Sequence, residues 1–389
     1  MLTGWQHGVV SATSSRAGVL RGVGSRLTPA AVLVLTLVAA SLFVLARWQV
    51  AADGDISRFV LAGSDYARGA DIAVQPGNGY DGQFSYRLAV APTALEGRAD
   101  GVVLDSPLRL QRITYPVLVH VLTLGHAPAV PAALVVVNVL ALGLLALLSA
   151  LYARDVGRAP GAGLLVAGFF GFTTSLGRDL TEIVTAALLV AGLLAWRRDR
   201  PWLAVFAFSL AVLSRESALL LYGALATAQL RRLDLRLLIP PAVFVGWQLL
   251  CAAVTGDVPL LSSSGKNLVL PFSDLLPAVG RWTAGAASLQ RQDLINLGQL
   301  VALGVLVVAA GRSLRHAPGR LQVGWVVALL LVVSLSANVW KGPADFRTAA
   351  ELHVLSALVL LHGPHRLRVP GAVLGAATLM TVLLRATSL

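Results

Sequence analysis

Apolar runs long enough to cross a membrane alternate along this chain with short clusters of arginine. The first, Pro29 to Ala46, follows a segment bearing Arg16, Arg21 and Arg26. Others recur at approximately 130–152, 161–177, 180–196, 201–213, 217–230, 236–254, 297–311, 321–339, 348–362 and 369–386. A helix of about 20 apolar residues crosses a bilayer core. The pattern therefore predicts an all-α polytopic membrane protein, residues 1–389 forming one integral membrane domain with about 11 transmembrane helices. The first run outlasts the ~7–15-residue core of a cleaved signal peptide. It also meets Arg47 and Trp48, so it is expected to stay as a span.

Two polar intervals interrupt the pattern, at about 47–129 and 255–296. The first contains one further apolar stretch, 112–125, which is short and carries Pro116 and His120. It reads as a helix at the interface rather than a crossing. "QFSYRLAV" (83–90) reads as a second interfacial, amphipathic helix.

Composition narrows the class. The chain is 56% hydrophobic and 13% charged, against about 25% charged residues in a soluble domain. Its single cysteine, Cys251, leaves no internal disulfide. The net charge of +12 is not spread as a nucleic-acid surface would need. With the N-terminus inside, the cytoplasmic segments hold sixteen arginines and three acids, leaving fifteen basic and sixteen acidic residues outside. That bias is the positive-inside rule. It predicts a cytoplasmic N-terminus, with intervals 47–129 and 255–296 on the exterior. Arginine- and alanine-rich, lysine-poor usage points to a GC-rich bacterial genome, and with the spans to an expected place in a bacterial inner (plasma) membrane.

The candidate chemistry collects on that outer face. "GYDGQFSY" (79–86) holds Tyr80, Asp81, Gln83 and Tyr86; "LDSPLRLQRITYP" (104–116) brings Asp105, Arg109 and Arg112 back toward the membrane. "GRDLTE" (177–182) puts Asp179 and Glu182 three apart, on one helical face. Asp179 sits where a helix N-terminus favours negative charge. "LSRESA" (213–218) supplies Arg215 and Glu216, and "WKGPADFR" (340–347) supplies Lys341, Asp345 and Arg347. "SSSGKN" (262–267) lies in the second long interval. Singly, such residues snorkel or cap helices; as a set at membrane depth they mark a site. No nucleotide-binding glycine loop and no zinc-spaced Cys/His cluster occurs. His362 and His365 fall on the expected inner side.

The order and wording of these motifs resemble the GT-C superfamily of membrane glycosyltransferases. "YDGQFSYRLA" is similar to the Tyr-Asp-Gly-Gln-aromatic-x-Tyr pattern of its bacterial members. "SPLRLQRITYP", "GRDLTE" and "LSRES" follow in the corresponding order. The architectural likeness covers about residues 28–360, and its sequence-specific part about 79–116 and 177–217.

The resemblance implies an inverting transfer from a polyprenyl-phosphate sugar to a glycan, glycolipid or protein acceptor at the outer face, among membrane lipids and without nucleic acid. It implies Asp81 as general base and Arg215, Lys341, Arg347, Arg109 and Arg112 as donor-phosphate ligands. Tyr80, Gln83, Tyr86, Asp179, Glu182 and Glu216 would orient substrates. No cofactor is implied, and without a clear Asp-x-Asp in the loop no metal is required. Mannosyl or arabinosyl transfer in envelope assembly fits the bacterial setting. A secondary transporter or lipid-linked-sugar flippase, and a non-catalytic envelope scaffold, are the competing classes.

Overall fold

The computed structural model describes residues 27–227, 234–262, 267–341, 344–364 and 367–387. The regular structure of its described residues is helical apart from one two-stranded parallel sheet. Helix α1 (Pro29–Val50) opens the chain, started by Thr28, whose hydroxyl accepts from the Ala31 amide, and by a proline at its first turn. A structured first interval follows, with strands β1 (Ala62–Gly63) and β2 (Val74–Gln75) and helices α2 (Gly82–Val90) and α3 (Thr114–Thr123). The bundle continues with α4 (Val130–Asp155), α5 (Leu164–Ala167), α6 (Phe170–Leu176), α7 (Glu182–Arg197), α8 (Pro201–Ser214), α9 (Ser217–Thr227) and α10 (Ile239–Thr255). It closes with α11 (Leu275–Ala287), α12 (Arg291–Ser313), α13 (Gly319–Val333), α14 (Ala337–Trp340), α15 (Ala350–His362) and α16 (Arg368–Ala386).

Five of these helical stretches are long and apolar enough to cross a membrane: Pro29–Val50, Ala127–Asp155, Leu235–Thr255, Arg291–His316 and Arg368–Ala386. They leave large apolar side chains such as Leu42, Leu249, Val301 and Leu379 on the surface, where a hydrocarbon solvent is the compatible surrounding. The chain is a multi-pass membrane protein by the length and composition of its helices.

The expected count of about eleven spans is corrected to these five among the described residues, outside which residues 228–230 of the expected run 217–230 lie. The run 161–177 breaks into a 3₁₀ turn (Pro160–Gly163) and the short α5 and α6. The runs at α7, α8, α9, α13 and α15 form helices of 16, 14, 11, 15 and 13 residues. The physical reason is visible in their packing. Every residue of α15 from Ala350 to Leu361 is buried, and most of α7 is as well. α15 and α7 are apolar because they form the core, whereas α8, α9 and α13 bury one side and leave Phe206, Leu220 and Leu330 on the surface. Hydropathy does not distinguish a helix bathed in lipid from one enclosed by its neighbours.

The polar contacts of the bundle gather in two groups. At one end Arg198 pairs with Asp155, Arg158 donates to the Leu361 carbonyl, and Tyr152 meets His362. The segments carrying the arginine excess meet there. The other end gathers Arg47, Asp81, Glu182, Arg215, Arg347 and Glu351. His365 lies outside the described residues.

Within the first interval, α3 has ten residues, about 15 Å of helix or half a bilayer core, and exposes Val117, Val121 and Leu122 on one side. It is not a crossing. The amphipathic reading of α2 is corrected: the helix is buried on nearly all sides, and its Arg87 points inward to cap the Glu96 and Gly97 carbonyls.

Candidate active site at one end of the bundle

Asp81 stands at the start of α2, where chain, strand and helix are locked together. The Tyr80 amide donates to the Leu61 carbonyl, and Gln83 holds the loop from inside, accepting from Gly63 N–H and donating to Asn78 O. Gly82 rests directly on the loop before α7. A Cβ there would sit 2.4 Å from the Arg178 carbonyl oxygen and 2.8 Å from that of Val60. Asp81 makes no side-chain cap to its own helix, so its carboxylate is turned to other partners.

Those partners are three arginines from distant parts of the chain. Arg109 Nη1 lies 2.9 Å from Asp81 Oδ1, while its Nε and Nη2 hold Asp105. Arg347 Nη2 lies 2.8 Å from Asp81 Oδ2, and Arg112 Nη1 approaches to 4.0 Å. Arg109 comes from a 3₁₀ turn (Pro107–Gln111) that starts at Ser106, whose hydroxyl accepts from Leu108 N–H and donates to Ser262 O. It also lies over the Phe84 ring, 4.5 Å from its centroid.

Arg347 is the hub. Its Nε donates to Asp345, its Nη1 to Glu182 at 2.7 Å, and its Nη2 to Asp81. Tyr80 closes this circuit by donating to Asp345 Oδ2 at 2.9 Å. Glu182 also accepts from Ser175. Arg112 makes a two-pronged contact with Glu216, at 3.0 and 2.5 Å. A hydroxyl cluster of Thr181, Thr185 and Ser214 pins α7 to α8 directly behind.

Burial opposes the charged form of Asp81, but Arg347, Arg109 and Arg112 together outweigh it and hold the carboxyl well below the usual carboxylate range. A quarter of its side-chain surface stays exposed. The cleft it lines with Phe84, Ser85, Leu180 and Thr181 encloses only about 20 Å³.

Of the residues expected at the site, Asp81, Tyr80, Arg109, Arg112, Glu182, Glu216 and Arg347 come together. Among the described residues, the other five make no hydrogen bond or ion pair with this cluster. Arg215 is buried in a pair with Glu351, 3.1 Å to both oxygens, and from there still acts on the charges of Glu182 and Glu216. Lys341 is exposed and, among the described residues, reaches Asn338. Gln83 frames the loop from inside. Tyr86 is buried against Asp100. Asp179 is fully buried in a left-handed backbone conformation (φ +53°), with neither oxygen hydrogen-bonded. Residues 263–266 of "SSSGKN" lie outside the described residues.

Glu351 was not singled out from the sequence, although its position four residues after Arg347 at the start of an apolar run was a usable signal. Arg178 and Arg385 were also missed; Arg178 stacks over Tyr80, 4.3 Å from the ring centroid. Among the described residues, no group of three or more His, Cys, Asp or Glu side chains is placed to hold a metal ion. No protein-family model matches the chain, and no curated protein matches it.

Proposed function

We propose that the chain is an inverting glycosyltransferase, taking a sugar from a polyprenyl-phosphate donor and delivering it to a hydroxyl of an envelope glycan or glycolipid. The reading takes the Asp81 end as the outer one, which the gathering of Arg158, Arg197 and Arg198 at the other end supports. The observation that carries the reading is the three-guanidinium setting of Asp81. It supplies a carboxylate to receive a proton and cations to receive a phosphate, within one side chain's reach of each other.

In the reaction Asp81 takes the acceptor hydroxyl proton as that oxygen bonds to the anomeric carbon. The bond from that carbon to the phosphate oxygen breaks, and the lipid phosphate leaves with the electron pair. Arginines then stabilise its charge. A cleft of about 20 Å³ holds no sugar ring, so entry requires Arg109 or Arg112 to swing off Asp81. An anionic phosphate drawing those guanidiniums away also raises the proton affinity of Asp81, toward the range in which a base works at neutral pH.

The test is transfer of labelled sugar from polyprenyl phosphate in membranes carrying the wild type or Asp81→Asn. Loss of turnover with donor binding retained is the expected result. Equal turnover sinks the base role, and donor-independent sugar counterflow in liposomes would place the chain among transporters instead.

A further inference from the structure

At the end of the bundle away from Asp81, three arginines surround one tyrosine–histidine pair. Tyr152 Oη, in the last turn of α4, meets His362 Nε2 at 3.0 Å. Arg197, the last residue of α7, lies over the Tyr152 ring, 5.7 Å from its centroid. Arg158 donates to the Leu361 carbonyl beside His362. Arg320, in the first turn of α13, lies over the Trp196 ring at 5.6 Å. All three charges reach His362, which burial and then these arginines push down to about 4, so the imidazole is neutral.

Among the described residues, none of the three pairs with a carboxylate. Asp155 is held by Arg198 and gives Arg197 its main-chain carbonyl; Asp234 is held by Arg236, on which Asp199 also acts. Arg320 makes no hydrogen bond among the described residues. Each of the three is half-buried. Like charges that share a partly dehydrated site repel one another, so a bound anion offsets a cost that the protein alone leaves standing.

The cluster also lies at the membrane boundary. Three of the five long apolar stretches begin or end beside it. Ala127–Asp155 ends three residues past Tyr152, Arg291–His316 ends four residues before Arg320, and Arg368–Ala386 begins six residues after His362. Trp202, exposed at the start of α8 with Arg236 over its ring, is an aromatic of the kind that sits at headgroup level. Val323, Val326 and Leu330 form an exposed apolar stripe along α13 that starts one turn after Arg320.

We infer that this is a headgroup site, in which the phosphodiester of an anionic phospholipid lies among Arg158, Arg197 and Arg320 and an acyl chain follows the stripe on α13. Guanidiniums bind phosphate oxygens through paired N–H donors, and basic pockets between helix ends take anionic headgroups. The placement at the ends of three spans favours a lipid over a dissolved phosphate. The site does not depend on the glycosyl-transfer reading, since it lies at the far end of the bundle from Asp81.

Titration of the full chain in detergent with phosphatidylglycerol, phosphatidylcholine or inorganic phosphate tests this, with Tm and lipid retention by native mass spectrometry as readouts. Phosphatidylglycerol should be retained and raise Tm; zwitterionic phosphatidylcholine should do neither. Arg197→Gln and Arg320→Gln should each weaken phosphatidylglycerol about tenfold, the scale of one lost charge-assisted contact. Arg198→Gln removes the same charge at the same end, but from a guanidinium already matched to Asp155, and should leave the affinity unchanged. Arg320→Gln breaks no hydrogen bond among the described residues, so its Tm without added lipid should equal or exceed that of the wild type. Equal losses in all three variants would mean diffuse attraction and overturn the site, as would equal retention of the two lipids. Inorganic phosphate raising Tm as far as phosphatidylglycerol does would overturn the lipid as occupant.

Discussion

Arg347 Nη2 meets Asp81 Oδ2 at 2.8 Å, joining residues 266 positions apart in the chain. The same guanidinium satisfies Glu182 and Asp345, so its removal takes a cation from three carboxylates, one of them fully enclosed and left with the Ser175 hydroxyl. Arg347→Ala should therefore cost about 3–5 kcal/mol, the range for breaking a buried pair, and lower Tm in detergent more than Arg109→Ala does. Arg347→Lys should recover only part, because a single ammonium cannot serve three separate directions. A Tm for Arg347→Ala equal to that of the wild type would show that the hub contributes nothing.

The depressed proton affinity of Asp81 makes stability depend on acid. Its folded-state pKa lies below the ordinary value, so the unfolded chain takes up the proton first as pH falls. The contribution is fully present above about pH 4, the unfolded range for Asp, and is lost as pH drops toward the folded value. Tm measured from pH 6 down to pH 3 should fall more steeply for wild type than for Asp81→Asn. Parallel curves would contradict the assignment.

Glu351 accepts from Arg215 at 3.1 Å and from the Ser217 hydroxyl at 2.6 Å. This pair lies inside the protein and fixes the start of α9 to α15. Glu351→Gln should destabilise by several kcal/mol because it leaves Arg215 buried and unmatched. Glu351→Gln combined with Arg215→Met should be milder than the sum of the single changes. Additive losses in Tm would mean the two side chains are not coupled.

Gly82 is the point where the Asp81 loop presses on the loop before α7. Gly82→Ala puts a methyl 2.4 Å from a backbone carbonyl oxygen, and no side-chain rotation relieves that clash. Folded yield in membranes should drop sharply, and any protein recovered should show a displaced Asp81 by loss of turnover. Normal yield and turnover would mean the contact is loose.

Asp179 is enclosed without a hydrogen-bond partner, and burial, only partly offset by Arg47, pushes its pKa well up. The neutral acid is the compatible form. Asp179→Asn should leave Tm unchanged or raise it, and should leave sugar transfer intact. A strong loss of turnover would return Asp179 to the reacting group.

Much of the charged cluster around Asp81 was legible in the sequence. "YDGQ", "RLQR" and "DFR" each contributed a residue that converges on Asp81, because a carboxylate and arginines beside apolar runs are too costly to keep without partners. The pairing was not legible. Arg215 and Arg347 are both arginines at the edge of an apolar run, yet one meets Glu351 and the other Asp81. Asp179 and Glu182 share the spacing of one helical face, but α7 begins only at Glu182. Asp179 therefore lies on a left-handed turn that aims it elsewhere.

The sequence by itself determined that this chain is helical, multi-pass and charged asymmetrically, since hydropathy and arginine placement are properties of the residues and their order. Only the tertiary structure decided which apolar helices face outward and which are core, because burial by protein and burial by lipid select the same side chains. It alone also separated the arginines matched to carboxylates from Arg158, Arg197 and Arg320. Ion pairing depends on distances of about 3–4 Å between segments far apart in the chain, and at that range Coulombic energy changes steeply with position.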